Sequence, residues 1–271
     1  MAAMRALYDA FNLMYALSLI LFFSDLIQPR RFVNRTALVL LFVAFGLESG
    51  LLLMRLRALG YVAVYTRMDV LFLVSWLLML ITLVLDTFFR IGLALFFVNV
   101  LGYALVAFDT FGRQGKFLFP KHQLDLLVLH VSLAVISYVC FAFAFVYSFM
   151  YLIQDRVLRA KRWNQLYFRL PALERLDTFA FRSVALGVPV LLVAMVLGVI
   201  WGKLVLNRWI LMDPKPLATL IVWLMYAVYL GFRIRSGWGG RQLAWYNMFC
   251  ALAVLLNFAV VNDYSNFHHA F

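Results

Sequence analysis

The chain is 271 residues long, 66% hydrophobic and only 13% charged, with 27 phenylalanines, 13 tyrosines and a mean hydropathy of +0.94. One water-soluble core could not hide so many long apolar runs, so the composition excludes an ordinary soluble protein and indicates a polytopic membrane protein. The net charge of +12 is carried by short segments between apolar runs, which suits anionic lipid and membrane topology and argues against a nucleic-acid partner.

In chain order, apolar runs long enough to cross roughly 30 Å of hydrocarbon fall at 7–27, 36–54, 68–86, 89–109, 125–151, 183–204, 215–232 and 242–261. The first lacks a small-residue cleavage site and reads as a retained helix, not a signal peptide. The expected fold is therefore all-α, an eight-helix transmembrane bundle, with residues 1–271 forming a single integral-membrane domain. Asp69 and Asp86 fall at the ends of the third run, where capping is a better account than a proton relay. Two cysteines, Cys140 and Cys250, lie inside apolar runs and form no CxxC, so neither a thiol redox motif nor a zinc cluster is encoded.

The connections set the orientation. Loops 1–2, 3–4, 5–6 and 7–8 hold 14 of the 24 lysines and arginines, half of them in the long basic stretch 154–182. The positive-inside rule then places that stretch in the cytoplasm and both termini outside. Within it, 158–168 has the pattern of an interfacial helix, with Trp163, Leu166 and Tyr167 apolar and Arg159, Lys161 and Arg162 basic. A plain stop-transfer charge cluster explains the same residues, and membrane lipid or a soluble partner would suit the basic side. Near the last run, Gly237-Trp238-Gly239-Gly240-Arg241 reads as a compact turn into a helix and lacks the context of a phosphate loop.

On the outer side the sequence gathers polar residues that ask for a reason. His130 stands in an apolar helix, where its ring nitrogens need a donor, an acceptor or a metal. It is suited to axial haem ligation and equally to a hydrogen bond that holds two helices together. His268 and His269 follow the eighth run and could reach a metal, whereas His122 sits in an ordinary polar loop beside Lys121. Asp213-Pro214-Lys215 has a complete local account, with Asp213 capping a helix and Pro214 in its first turn, and Lys215 suited to snorkelling or to an acidic group. Trp201 and Trp209 fit either a rim for a planar hydrophobic cofactor or interface anchors, and Arg208 or Lys215 could neutralise a haem propionate. Ser132, Ser137 and Ser148 read as helix hydroxyls, and no catalytic triad, paired carboxylates or two-metal site names a reaction.

These motifs in order carry a resemblance: Leu129-His130-Val131, the fifth run through Gln154-Asp155-Arg156, Gly198-Val199-Ile200-Trp201, Asp213-Pro214-Lys215, Trp223-Leu224-Met225-Tyr226, Gly237-Trp238-Gly239-Gly240-Arg241 and His268. Over 125–271 the chain resembles the cytochrome c assembly integral-membrane family, in particular its HemX-like branch with eight spans. The resemblance implies a haem-handling protein of a bacterial cytoplasmic (inner) membrane. His130 and His268, or His269 in its place, would be the histidines flanking an outward tryptophan-rich region and the ligands of haem iron. It also implies a cytochrome c assembly protein, apocytochrome c or a haem-biosynthesis enzyme as partner.

The chain departs from the family's haem-attachment pattern between Asn207 and Pro216. Ile210 and Met212 stand where aromatic residues are usual, and Pro216 replaces an acid. The expected function is thus a haem-handling accessory or chaperone in cytochrome c maturation, with Trp209, Asp213 and Lys215 shaping the outer site. Catalysis is not its expected task, although a haem-attachment component stays open. The alternative is a non-enzymatic scaffold that regulates haem biosynthesis through Arg159, Lys161 and Arg162. A transporter ranks third, because no paired broken helices mark a central site.

Overall fold

Apolar runs bounded by Gly, Pro and charged residues become helices, because in lipid a helix satisfies each backbone polar group within its own segment. The computed structural model describes residues 2–59, 67–89, 91–110, 124–161, 165–206, 213–235 and 237–259. Among these the regular elements are all helical: α1 Ala2–Ile27, α2 Arg31–Leu59, α3 Arg67–Phe89, α4 Leu93–Thr110, α5 Leu124–Arg159, α6 Gln165–Arg169, α7 Leu173–Leu206, α8 Pro214–Arg235 and α9 Gly240–Ala259. Each expected span has its own long helix, and α6 is a short addition.

Six of the helices, α1, α2, α3, α5, α7 and α8, are long and apolar enough to cross a membrane. In α4 the apolar stretch Leu93–Ala107 is shorter, and α9 is diluted by Gln242, Asn247 and Asn257. The chain is an integral membrane protein.

Two boundaries differ from the sequence reading. Helix α3 runs on to Phe89, and α4 begins at Leu93 after Gly92, whose φ of +56° is left-handed backbone that glycine adopts without strain. The stretch 154–182 is mostly helical, since α5 extends to Arg159 and α7 begins at Leu173. The expected interfacial helix at 158–168 is accordingly replaced by the end of α5, a turn at Ala160 and Lys161, and the five residues of α6. Helix α5 survives beyond its apolar run because Arg159 Nε donates to both oxygens of Asp155, at 3.0 and 2.9 Å, one turn earlier.

The helices form two compact units, residues 1–115 and 116–271. In the first, α1 packs on α2 and α4, and α3 on α2 and α4, around buried Phe11, Tyr15, Leu41 and Met79. Ser18 Oγ donates to the Ala37 carbonyl at 2.8 Å and ties α1 to α2. At one end Asp69, in the first turn of α3, pairs with Arg55 of α2, a use of Asp69 across helices that supplements its position near the helix start.

In the second unit α5 lies against α7 and α9, and α8 bridges α7 and α9. Pro189 interrupts α7 and removes one backbone donor. Around it, carbonyls of α7 take donors from other helices: Ser137 Oγ of α5 donates to Gly187 at 3.1 Å, and Trp223 Nε1 of α8 donates to Val188 at 3.1 Å. Gly187 lets Phe141 lie against α7, since a Cβ there would sit 2.7 Å from the ring, and Phe141 stacks on Tyr226 at 3.8 Å between centroids.

The end of this unit that holds the C-terminus of α5 is closed by charge pairs. Arg241 Nε of α9 lies 3.5 Å from Asp155, and Arg233 of α8 pairs with Asp177 of α7. The glycine turn has the role its sequence suggests. Gly237 has φ +59°, and Gly240 admits the Tyr151 ring, whose atoms would lie 2.7 to 2.8 Å from a Cβ. Gly237→Ala should lower stability by about 1–2 kcal/mol through left-handed strain, read as a drop in the thermal midpoint in detergent.

Candidate functional site

The opposite end of the second unit assembles the residues that the sequence singled out. It is formed by the N-terminus of α5, the C-terminal part of α7, the start of α8 and the end of α9. His130 lies six residues after Leu124, roughly 9 Å along α5. Its Nδ1 is 2.6 Å from the Ala194 carbonyl of α7. A carbonyl oxygen only accepts, so Nδ1 carries the proton and donates, and Nε2 of a neutral ring keeps its lone pair. Among the described residues the hydrogen bond recorded for His130 is at Nδ1 and none is recorded at Nε2.

One turn beyond Ala194, Gly198 makes this placement possible. A Cβ at Gly198 would stand 2.6 Å from His130 Cε1, 2.9 Å from Nδ1 and 3.3 Å from Nε2. The imidazole therefore lies directly on the backbone of α7. Ala194-x-x-x-Gly198 is a small-x-x-x-small pair of the kind that lets transmembrane helices approach closely. The Nδ1 bond holds α5 to α7, the helix-tying use expected of His130, and it leaves the Nε2 lone pair outside that bond.

Seven residues after Ala194, and so on nearly the same face of α7, Trp201 is buried at 3% exposure. It belongs to the interior of the unit and is not a headgroup anchor.

At the start of α8, Asp213 Oδ1 accepts from the Lys215 backbone N–H at 3.1 Å, and its carbonyl accepts from Leu217 N–H at 3.2 Å. Asp213 is the cap and Pro214 the first helical residue, as their order suggests. Asp213→Ala should cost about 1 kcal/mol of stability by removing that cap, visible as a lowered unfolding midpoint. Lys215 Nζ donates to the Asn257 carbonyl of α9 at 3.3 Å and lies 5.7 Å from the Phe258 ring centroid. Asn257 Nδ2 in turn donates to Thr219 Oγ1 at 3.3 Å, so the ends of α8 and α9 are locked together.

The structure thus brings His130, Asp213 and Lys215 to one end of the unit. Trp209, His268 and His269 lie outside the described residues, as do His122, Arg208 and Arg162. Arg159 and Lys161 stand at the other end. The Arg159 side chain is 63% exposed while bound to Asp155, and Lys161 is exposed on a turn with φ +50°. Sequence reasoning passed over Gly198 as a contact and Ala194 altogether. The small pair in a run of larger apolar residues was the available signal.

The family described as Cytochrome C assembly protein matches residues 64–269. Protein HemX of Brevibacillus brevis is 36% identical over 260 residues, covering 95% of this chain and 96% of that protein. Protein HemX of Bacillus subtilis (strain 168) is 31% identical over 269 residues, 98% of each. More distant is the cytochrome c biogenesis protein CcsA of Synechococcus sp. (strain CC9605), 26% identical over 239 residues, with 78% of this chain and 79% of that protein covered.

Proposed function

We propose, since the chain belongs to the cytochrome c assembly protein family and to its HemX-like branch, that this membrane protein handles haem in cytochrome c biogenesis. In this reading it is an accessory or chaperone that positions haem at the outward face of a bacterial cytoplasmic membrane. The observation that carries the reading is the divided use of His130: Nδ1 is engaged by the Ala194 carbonyl and Nε2 keeps a lone pair. An imidazole fixed through its second nitrogen is oriented and made more basic, which is how metal-binding histidines are commonly held.

The donor set fits haem at this one position. Haem, when bound, supplies an iron that takes axial imidazole and propionates that take cations. His130 would ligate the iron, and His268 is proposed as a second ligand on the family resemblance. Lys215 would offer a positive charge from a fixed place, since the Asp213 cap sets where its helix begins. Trp209 is proposed as an aromatic wall. Ile210 and Met212, where aromatic residues are usual, favour holding and delivery over covalent attachment.

Titrating the purified, haem-free protein with haem tests this. His130→Ala and His268→Ala should each weaken binding by roughly 10- to 100-fold or more, the loss that even an outer-sphere change brings to a metal site. Unchanged binding in both folded variants would overturn the assignment.

A second reading rests on exposed Lys161 and the outer surface of Arg159. With Arg162, these residues would contact a haem-biosynthesis enzyme in the cytoplasm. Neutralising all three should then abolish co-purification of that enzyme while leaving haem titration unchanged. Retained co-purification counts against it.

A further inference from the structure

The first unit contains a polar centre that haem handling does not use. Glu48 of α2 has 0% exposure, and neither carboxylate oxygen has a hydrogen-bond partner. It lies nine residues before Arg57, roughly 13 Å along the helix, inside the apolar span Arg31–Arg57. Beside it stands the hydroxyl of Ser75 on α3, also at 0% exposure. Helices α1 and α4 complete the surroundings. Tyr15 Oη of α1 donates toward the Asn99 carbonyl and Oδ1 of α4, at 3.1 and 3.0 Å.

The packing keeps these groups together. A Cβ at Gly102 would lie 2.9 Å from Tyr15 Oη and 3.7 Å from Ser75 Oγ, so glycine leaves the space that both oxygens border. Asn99 is held in turn, its Nδ2 donating to Thr82 Oγ1 at 3.0 Å and to the Leu95 carbonyl at 2.8 Å. The Tyr15 and Ser75 oxygens, from α1 and α3, thus stand beside one acidic group, with Asn99 of α4 behind Tyr15.

Among the described residues no side-chain cation neutralises it. Arg55, two turns further along α2, pairs with Asp69 and lies over the Phe72 ring. Asp25 stands toward the other end of the unit, where it accepts from the Arg30 backbone N–H at 2.9 Å and from Asn34 at 3.3 Å. The groups facing Glu48 are Tyr15 on α1 and Ser75 on α3, with Asn99 and Tyr103 of α4 behind Tyr15. All are neutral. An unpaired carboxylate at this depth carries a large desolvation cost, so a single positive charge must accompany it.

We propose that Glu48, Ser75 and Tyr15 form a monovalent-cation site in the membrane interior, filled by sodium or by a proton competing for the same carboxylate. Oxygen-only ligands suit a hard ion. One carboxylate balances one charge, whereas a divalent ion would leave an uncompensated charge in hydrocarbon.

The full chain, purified in detergent without sodium, provides the test. Its thermal midpoint is followed in sodium chloride against choline chloride at equal ionic strength, alongside binding of radioactive sodium. Sodium should raise the midpoint saturably and be retained, with both effects weakening as pH falls because the proton competes. Glu48→Gln should abolish both effects. Ser75→Ala, which keeps the charge, should shift half-saturation to several-fold higher sodium and carries the test if Glu48→Gln does not fold. Absence of any sodium effect, together with an infrared carboxylic-acid band lost in Glu48→Gln, identifies the occupant as a proton. Neither a sodium effect nor that band would overturn the site.

Discussion

Gly198→Ala is expected to displace His130 and to weaken both the fold of the second unit and its hold on haem. The new methyl would stand 2.6 Å from Cε1 and 2.9 Å from Nδ1 of an imidazole that is itself hydrogen-bonded to the same helix. The ring cannot swing aside without losing the Ala194 bond, and α5 cannot retreat without opening its contact with α7. Overpacking of this kind costs about 1–3 kcal/mol. The thermal midpoint should fall, and half-saturation in haem titration should rise at least about tenfold if Nε2 is an iron ligand. Gly231→Ala is the matched control, because nothing lies within 4 Å of a Cβ there. In a helix interior that change should be neutral or stabilise by about 0.5–1 kcal/mol. Equal effects at the two glycines would show that contact with His130 is not what Gly198 provides.

His130→Asn should separate the two uses of the histidine. An asparagine amide nitrogen occupies nearly the place of Nδ1 and can donate to the Ala194 carbonyl, but it offers nothing where Nε2 lies. Stability should therefore stay within about 1 kcal/mol of the parent, the net worth of an ordinary hydrogen bond, while haem binding is lost. His130→Ala should lose both. If Asn restored haem binding along with stability, His130 would be a packing residue only.

Much of the architecture was legible because the bilayer imposes it. Runs of Leu, Phe and Val about twenty residues long have few alternatives to helices; each of the eight proved to be one, and six of them are long and apolar enough to cross a membrane. Helix ends were less legible where charge lies beyond the hydrocarbon. The apolar run ends at 151 and 154–182 reads as a polar connection, yet Asp155 bonds Arg159 one turn later and meets Arg241 of α9, and α5 continues to Arg159. Local chemistry could be read where its partners are adjacent in sequence, as in the Asp213 cap and the Gly237 turn.

What could not be read was the meeting of distant residues. His130 and Gly198 are 68 positions apart, and only the folded pair shows that the glycine is the bed of the ring. Trp201 looked equally like an anchor or a rim until its burial placed it inside the unit. Glu48 was passed over as one acid in a long apolar run, because the groups beside it come from three other helices. In each case the sequence supplied the residue, and tertiary packing supplied its reason.

The most direct measurement of the central claim is the visible absorption spectrum of the unsubstituted protein, freshly purified from membranes of cells given ample haem. With Nε2 of His130 on the iron, the folded protein should carry the intense band of ligated haem in proportion to its concentration. A folded, monodisperse and colourless protein, which still takes up no haem on titration, would contradict it.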